Sequence, residues 1–324
     1  MSAETPDLPA LTALPALVVH CDWGTAPDKR WMAKATLVHG QYIAYAPELV
    51  GDLPTLLSRI AEERGPASSA LVGFDFPIGV PAMYAANVGV SDFPALLTAL
   101  GKGKWQHFFE LCRKRDEISV YRPFYPFNFT PKGSKSPRHL VESLRLNTAT
   151  DLLRICDQPR AQRTAAGALF WTLGAKAPGR GALLGWQHVL QPATGRGAIR
   201  LWPFQGTLPQ LLQLGTTVIA EAYPAEYYTT IFGQLNGSKR DQSVRAAAGP
   251  KTLHWAANLP VSLQFSPVLE SEIKAGFNNG EDAFDAAIGL FGMIDAIQNF
   301  GPHLEPIDPT IRNIEGWILG QPAP

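Results

Sequence analysis

Cysteine is scarce and odd in number: Cys21, Cys112 and Cys156 are the only three among 324 residues. A disulfide framework and a zinc site built on paired CxxC spacing are excluded on that count. Long apolar runs are missing too. The longest, Ala286 to Ile294, is closed by Asp285 and Asp295, well short of the roughly 18 residues of a membrane span. The first ten residues carry two acids and no base, which does not fit a signal or transit peptide. Charged residues are only 17% of the chain while hydrophobic ones are 46%, so disorder is excluded by composition. No P-loop, GxSxG or HExxH is found, Gly179-Arg180-Gly181 lacks the dinucleotide-binding spacing, and the seven histidines show no ligand spacing. These absences leave a soluble, cytoplasmic, globular protein with no membrane partner as the expectation.

Net charge is also absent, but only in total. Between Lys102 and Arg200 there are 17 Lys and Arg against 6 Asp and Glu, whereas the rest of the chain holds 11 against 22. A basic middle inside an acidic frame suits either a polyanionic partner or two lobes that attract each other.

The 29 glycines and 28 prolines predict many loops and short elements. Ala16–Asp22 is a short apolar run that reads as a buried strand. Trp31–Val38 and Gln41–Ala46 read as strands joined at His39-Gly40. Leucines and an isoleucine at helical spacing predict a helix over Asp52–Arg64, closed by Gly65-Pro66. Ala70–Phe76 reads as a further strand. Residues 77–200 break the pattern with ten prolines and read as a basic, mostly helical insertion, with helices over Phe93–Leu100, Arg138–Leu146 and Arg160–Leu173. The pattern resumes at Ile199–Trp202, with a strand over Thr216–Tyr223 and helices over Ala225–Phe232 and Gln242–Ala257. Glu281–Ile297 reads as the clearest amphipathic helix. The expectation is one α/β domain over 13–320, a mixed sheet flanked by helices, interrupted by 77–200.

Three of the strands carry an acid at or near the C-terminal end, Asp22, Asp75 and Glu221, where open α/β sheets collect ligands. Asp282 and Asp285 open the last helix at i, i+3 and so share a face. Gly289 and Gly292 would let that helix lie close to the sheet. Each acid also has a structural reading, as a cap or as a first-turn partner of the helix dipole; Glu221 in an apolar strand fits that less well, since a buried charge needs a partner. Together they are the oxygen donors a hard divalent cation requires, and two ions about 3.5–4 Å apart would clamp a phosphoryl group.

The phrases CDWG (21–24), GFDFPIGVP (73–81), EAYPAEYY (221–228), GSKR (237–240) and EDAFDAAIGL (281–290) resemble the bacterial family of predicted ribonuclease H-like nucleases. RPFYP (122–126), FWTLG (170–174), LWPFQG (201–206) and EGWILGQ (315–321) fit it as well. The resemblance covers nearly the whole chain, and the paired acids of the last helix are similar to those of Holliday-junction resolvases. It implies a ribonuclease H-like fold and a nuclease using Mg²⁺ or Mn²⁺. Asp22 would bridge the metals, Asp75 would take the second-strand position, and Asp282 and Asp285 the last-helix positions. Glu221 has no clear counterpart there and joins them as a catalytic candidate.

Lys239 and Arg240 in the GSKR turn are candidates for phosphate contact. Lys102 to Arg145 adds ten basic residues against four acids, interleaved with eight aromatics. There Phe108 and Phe109 read as a small hydrophobic sub-core. For Arg122-Pro-Phe-Tyr-Pro and for Lys132–Arg138 packing and nucleic-acid contact both stay open, and Arg122, Lys132, Lys135 and Arg138 are the substrate-track candidates. The expected activity is metal-dependent hydrolysis of a phosphodiester in DNA or RNA. The rivals are another phosphoryl-transfer enzyme of the same superfamily and a non-catalytic module that binds nucleic acid or protein.

Overall fold

A computed structural model describes residues 14–127, 135–160, 164–174, 177–213 and 215–324. The chain is α/β, built on a mixed eight-stranded sheet. Its strands are β1 (Leu17–Trp23), β2 (Arg30–Val38), β3 (Gln41–Ala44), β4 (Glu48–Leu49), β5 (Ala70–Phe74), β6 (Arg200–Leu201), β7 (Thr217–Glu221) and β8 (Leu263–Phe265). They lie in the order β6-β7-β5-β1-β2-β3-β8, with β4 on β2. β1, β2 and β3 form an antiparallel meander. β5, β7 and β6 run parallel to β1 on its other side. The meander turns at His39 and Gly40, whose φ angles of 48° and 80° are the paired positive values of the tight hairpin that matches strand twist.

The helices are α1 (Leu53–Arg64), α2 (Ala82–Val88), α3 (Phe93–Ala99), α4 (Pro137–Ser143), α5 (Gly179–Gly185), α6 (Gln191–Gly195), α7 (Leu208–Leu211), α8 (Pro224–Ile231), α9 (Gln242–Ala257), α10 (Pro267–Ala275) and α11 (Glu281–Gln298). α1 starts where the Asp52 carboxylate accepts from Thr55 N at 3.2 Å, buries Leu56 and Ile60, and stops at Gly65. Among the described residues no helix is long and apolar enough to cross a membrane.

Strand alternation divides the core in two. Leu17, Val19, Cys21 and Trp23 point with Val72, Phe74 and Ile219 toward α1 and the 77–200 stretch. Val18, Leu71, Val218 and Ala220 point toward α8–α11. The 77–200 stretch therefore supplies, together with α1, one face of the fold. Its aromatics explain this: Phe108 and Phe124 are fully buried, Trp105 nearly so. Phe108 meets Phe124, Phe170 and Trp105 edge to face and stacks on Trp186 at 6.3 Å. Each such ring contributes roughly 1.5–3 kcal/mol by leaving water, a use that withdraws these faces from stacking on bases. Phe129 lies outside the described residues.

Two expectations are corrected. The stretch predicted as a helix over Arg160–Leu173 is, where described, irregular, with a turn closed by Trp171 N and Ala168 O and one bridge to Tyr125: Tyr125 N donates to Phe170 O at 2.9 Å and Thr172 N to Tyr125 O at 3.1 Å. Pairing with the buried segment around Tyr125 overrides the local helical spacing. The last helix is not amphipathic. From Ala283 to Ile297 nearly every residue of α11 is buried, because α8, β1 and β2 pack against it. Gly289 permits this: a Cβ there would lie 2.2 Å from the His20 ring. Gly292 faces Tyr227 of α8 rather than the sheet, a Cβ coming within 1.8 Å of that ring.

Candidate active site

β1 and β5 are parallel neighbours in register, Cys21 opposite Phe74, and Asp75 N continues the ladder to Cys21 O at 3.4 Å. Asp22 and Asp75 thus end adjacent strands with side chains on the α11 face. Asp285 reaches them from the first turns of α11. Their charges act on one another, and the Asp22 and Asp75 side chains are within hydrogen-bonding reach. Asp75 Oδ1 accepts from Trp23 N at 2.8 Å. Asp285 accepts from Tyr228 Oη at 2.6 Å and pairs with the Lys239 ammonium. Asp282, nearer the surface, pairs with Lys29 at 3.1 Å. Arg240 lies 3.6 Å from Glu281. The GSKR turn therefore delivers its bases to the carboxylates.

Burial and crowding show in the protonation of these acids. Burial, then the charges of Asp75, Asp285 and Asp282, raise Asp22 well above the usual carboxylate range. Burial pushes Asp75 up to about 7, with Trp23 N–H and Lys239 opposing and Asp285 adding to the rise. Burial also raises Asp285, against the pull of Lys239 and Tyr228. Burial works against the Lys239 charge, but Asp285, Asp22 and Glu281 outweigh it and hold its pKa up at about 12. Behind the cluster, His20 donates from Nε2 to Ala222 O at 3.0 Å. Burial lowers its pKa to about 4, so it is a neutral core residue, as its apolar strand suggested.

Glu221 does not join this group. In the β5–β7 register it stands opposite Phe74, one residue short of Asp75, and one residue turns a strand side chain to the other face. There it meets Arg154, a fully buried residue that sequence reasoning missed. Arg154 Nη1 and Nη2 donate to the two Glu221 oxygens at 2.7 and 2.8 Å. Its Nε and Nη2 donate to Asp157 at 2.9 and 3.0 Å, and Nη1 also reaches the carbonyls of Ile78 and Glu315. Glu221 further accepts from Ile78 N at 2.8 Å, and Glu315 from Ala82 N and Ile155 N at 2.9 and 2.7 Å. This is a guanidinium with every donor satisfied, holding the 77–81 loop to residues 314–316. The loops touch so closely that a Cβ on Gly79 would lie 2.1 Å from Glu315 O. The one available signal was Arg154 and Asp157 at i, i+3 in a basic stretch.

The surface beside the two acidic centres opens into a cleft of about 1050 Å³ whose lining includes Trp23, Asp75, Glu221, Tyr223, Glu226 and Thr230. Among the described residues, none of the expected track residues Arg122, Lys135 and Arg138 lines it. Arg122 is spent on Leu111 O at 3.2 Å and on Glu110 and Glu117 at 3.4 and 3.8 Å. Arg138 is exposed on α4 and Lys135 half-buried just before it. Lys132 lies outside the described residues.

As the side chains stand, no three His, Cys, Asp or Glu among the described residues are disposed as ligands of one metal ion. Asp282 and Asp285 are each drawn onto a lysine instead. Comparison of the chain with protein-family models, with curated proteins and with solved structures gave no match.

Proposed function

We propose that the chain is a metal-dependent phosphodiester hydrolase acting on nucleic acid, with Asp22, Asp75, Asp282 and Asp285 as ligands of Mg²⁺ or Mn²⁺. One observation carries the reading: acids from two strand ends and the last helix, Asp22 and Asp285 buried and Asp75 half-buried, act on one another with fewer positive charges than negative ones. Such crowding is costly and is tolerated where a cation is to be held. An antiparallel β1-β2-β3 followed by parallel β5 and β7 supports a ribonuclease H-like reading of the α/β fold.

The donor set is all oxygen, which suits a hard cation. Lys29 and Lys239 would have to yield. Their side chains are 60% and 40% exposed, long and attached to turns, so displacement needs no change in the sheet. Divalent ions held there would polarise the phosphodiester and supply the attacking water as hydroxide. The chain's own part is to position. Trp23 N–H orients Asp75, Tyr228 orients Asp285, and any proton held on Asp22 or Asp75 would be released as a cation is bound. Lys239, once displaced, stays within reach of the substrate phosphate. Glu221 acts through Arg154 on the 77–81 loop and touches no reacting atom.

The test is cleavage of single-stranded, duplex and branched DNA and RNA with Mn²⁺, beside Asp22→Asn. Cleavage lost in the variant supports the reading. Binding that is equal with and without metal, and no cleavage of any substrate, would leave a non-catalytic binding module.

A further inference from the structure

Arg245 lies in the first turns of α9 and is only 4% exposed. A buried charge needs partners, and among the described residues its side-chain hydrogen bonds all end on backbone carbonyls. Nη1 donates to Lys239 O at 2.6 Å and to Arg240 O at 3.0 Å. Nε donates to Gly276 O at 2.7 Å and Nη2 to Phe277 O at 3.1 Å.

These two pairs of carbonyls belong to the two sides of one set of ion pairs. Lys239 and Arg240 end the GSKR turn, whose cations reach Asp285 and Glu281 of α11. Gly276 and Phe277 open the loop that runs from α10 into α11. That loop lies hard against α9. A Cβ on Gly276 would come within 2.4 Å of Gln242 O, and Gln242 Nε2 donates to Ala275 O at 2.9 Å and Asn278 Oδ1 at 3.0 Å. A long helical side chain points back toward the start of its helix, which is where the turn and the loop meet. The planar guanidinium fixes the directions of its bonds, so one side chain sets the turn relative to the loop.

We propose that Arg245 is a positioning residue of the carboxylate site. By clasping the GSKR turn to the α10–α11 loop it keeps Lys239 on Asp285 until a divalent cation displaces it, and then holds that ammonium beside the substrate phosphate. The phosphate rests on the nuclease reading; the clasp and its hold on Lys239 do not. Arg245 touches no reacting atom and acts through Lys239. With the clasp gone, the turn has more freedom to lose when the ion pair forms, so Lys239 competes less well with a metal ion.

Arg245→Lys is the first variant, because an ammonium keeps the charge but cannot span turn and loop together. Arg245→Gln is the second, and far-ultraviolet circular dichroism checks that both fold. The metal-free full-length chains are digested with trypsin. Cutting after Lys239 and Arg240 should be about tenfold faster in both variants, with other sites cut as in the wild type. Calorimetry with Mn²⁺ follows on Arg245→Lys, Lys239→Met and the double variant. Each single variant should bind Mn²⁺ several-fold more tightly than the wild type, and the double variant no more tightly than Lys239→Met, because coupled residues are not additive. For a strand that the wild type cleaves, KM should rise in Arg245→Lys as in Lys239→Met, with kcat little changed.

Cutting that rises equally at all sites, or failure of both variants to fold, makes Arg245 a core residue and overturns the clasp. Trypsin cutting of Arg245→Lys that matches the wild type also overturns it. Additive effects on Mn²⁺ affinity, or weaker Mn²⁺ binding in Arg245→Lys, overturn the action through Lys239. An unchanged KM overturns the hold on the phosphate. A wild-type chain that cleaves no nucleic acid sinks the nuclease reading instead, and the trypsin and Mn²⁺ results still decide the clasp.

Discussion

Two buried acidic centres stand on opposite faces of the same sheet, and they are neutralised in opposite ways. On one face Glu221 and Asp157 are held by a rigid guanidinium that is itself fully buried. On the other, Asp22, Asp75 and Asp285 share one ammonium, carried by a flexible side chain from the exposed GSKR turn. Arginine's fixed fork matches two carboxylates at once and cannot lose its proton, whereas lysine is a single movable charge. The first centre is therefore structural and closed. The second has a counterion that can leave.

Breaking the closed centre should produce the largest effect. Arg154→Met leaves Glu221 and Asp157 buried without a counterion, and should cost about 3–5 kcal/mol, read as a shift in the urea unfolding midpoint. Arg154→Lys should recover only part of that loss, since one ammonium cannot bind two carboxylates bidentately.

In the open centre the same operation should act on chemistry instead. Asp22→Asn should lower Mn²⁺-dependent cleavage by about a thousandfold or more, corresponding to roughly 4 kcal/mol. Its melting temperature without metal should be unchanged or higher than that of the wild type, because one crowded charge has gone. A large loss of stability would make Asp22 structural, like Glu221.

The open centre should also respond to pH. A raised folded-state pKa means that the contribution to stability is complete below the unfolded value, near 3.9 for Asp, and is lost as pH rises through the folded value. With Asp75 at about 7 and Asp22 shifted the same way, metal-free protein should lose stability as pH rises from about 4 through about 7. Asp22→Asn/Asp75→Asn should flatten that slope in thermal melts, and Mn²⁺ should oppose it in the wild type by binding the ionised form.

The smallest effect expected is from Lys239→Met. Without its ammonium the metal-free cluster holds one more unmatched charge, so Mn²⁺ should bind several-fold more tightly by calorimetry while cleavage falls only modestly. Weaker metal binding in Lys239→Met would mean that the lysine helps to build the site rather than to fill it.

Much of this contrast could be read in the linear chain, and the reasons are local. Asp22 and Asp75 end short apolar runs, and Asp285 follows Asp282 by one helical turn, so their placement needed only strand and helix periods. Glu221 looked equivalent because it too ends an apolar strand. Its face depends on the parallel register with Phe74, which no local period encodes. Arg154 is 67 residues from Glu221 and lies in a stretch whose many bases suggested a surface. The aromatics of Lys102–Arg145 were ambiguous for the same reason: composition cannot tell a ring that stacks on Trp186 from one that would stack on a base. α11 read as amphipathic because its acids cluster at one end, yet those acids sit in a buried site rather than on a solvated face.

The clasp around Arg154 also orders events in time. Leu319 N donates to Glu221 O at 2.8 Å, Val80 N to Ile314 O at 3.0 Å, and Arg154 spans 161 residues to the Glu315 carbonyl. Residues from four distant parts of the chain meet at one buried charge, so none of these bonds can form while residues 314–319 are still unmade. A nascent chain that already carries Asp22, Asp75 and Asp285 thus still lacks the bonds that close the opposite face of its sheet. During synthesis, the carboxylate cluster lacks these bonds on the opposite face until residues 314–319 have been added.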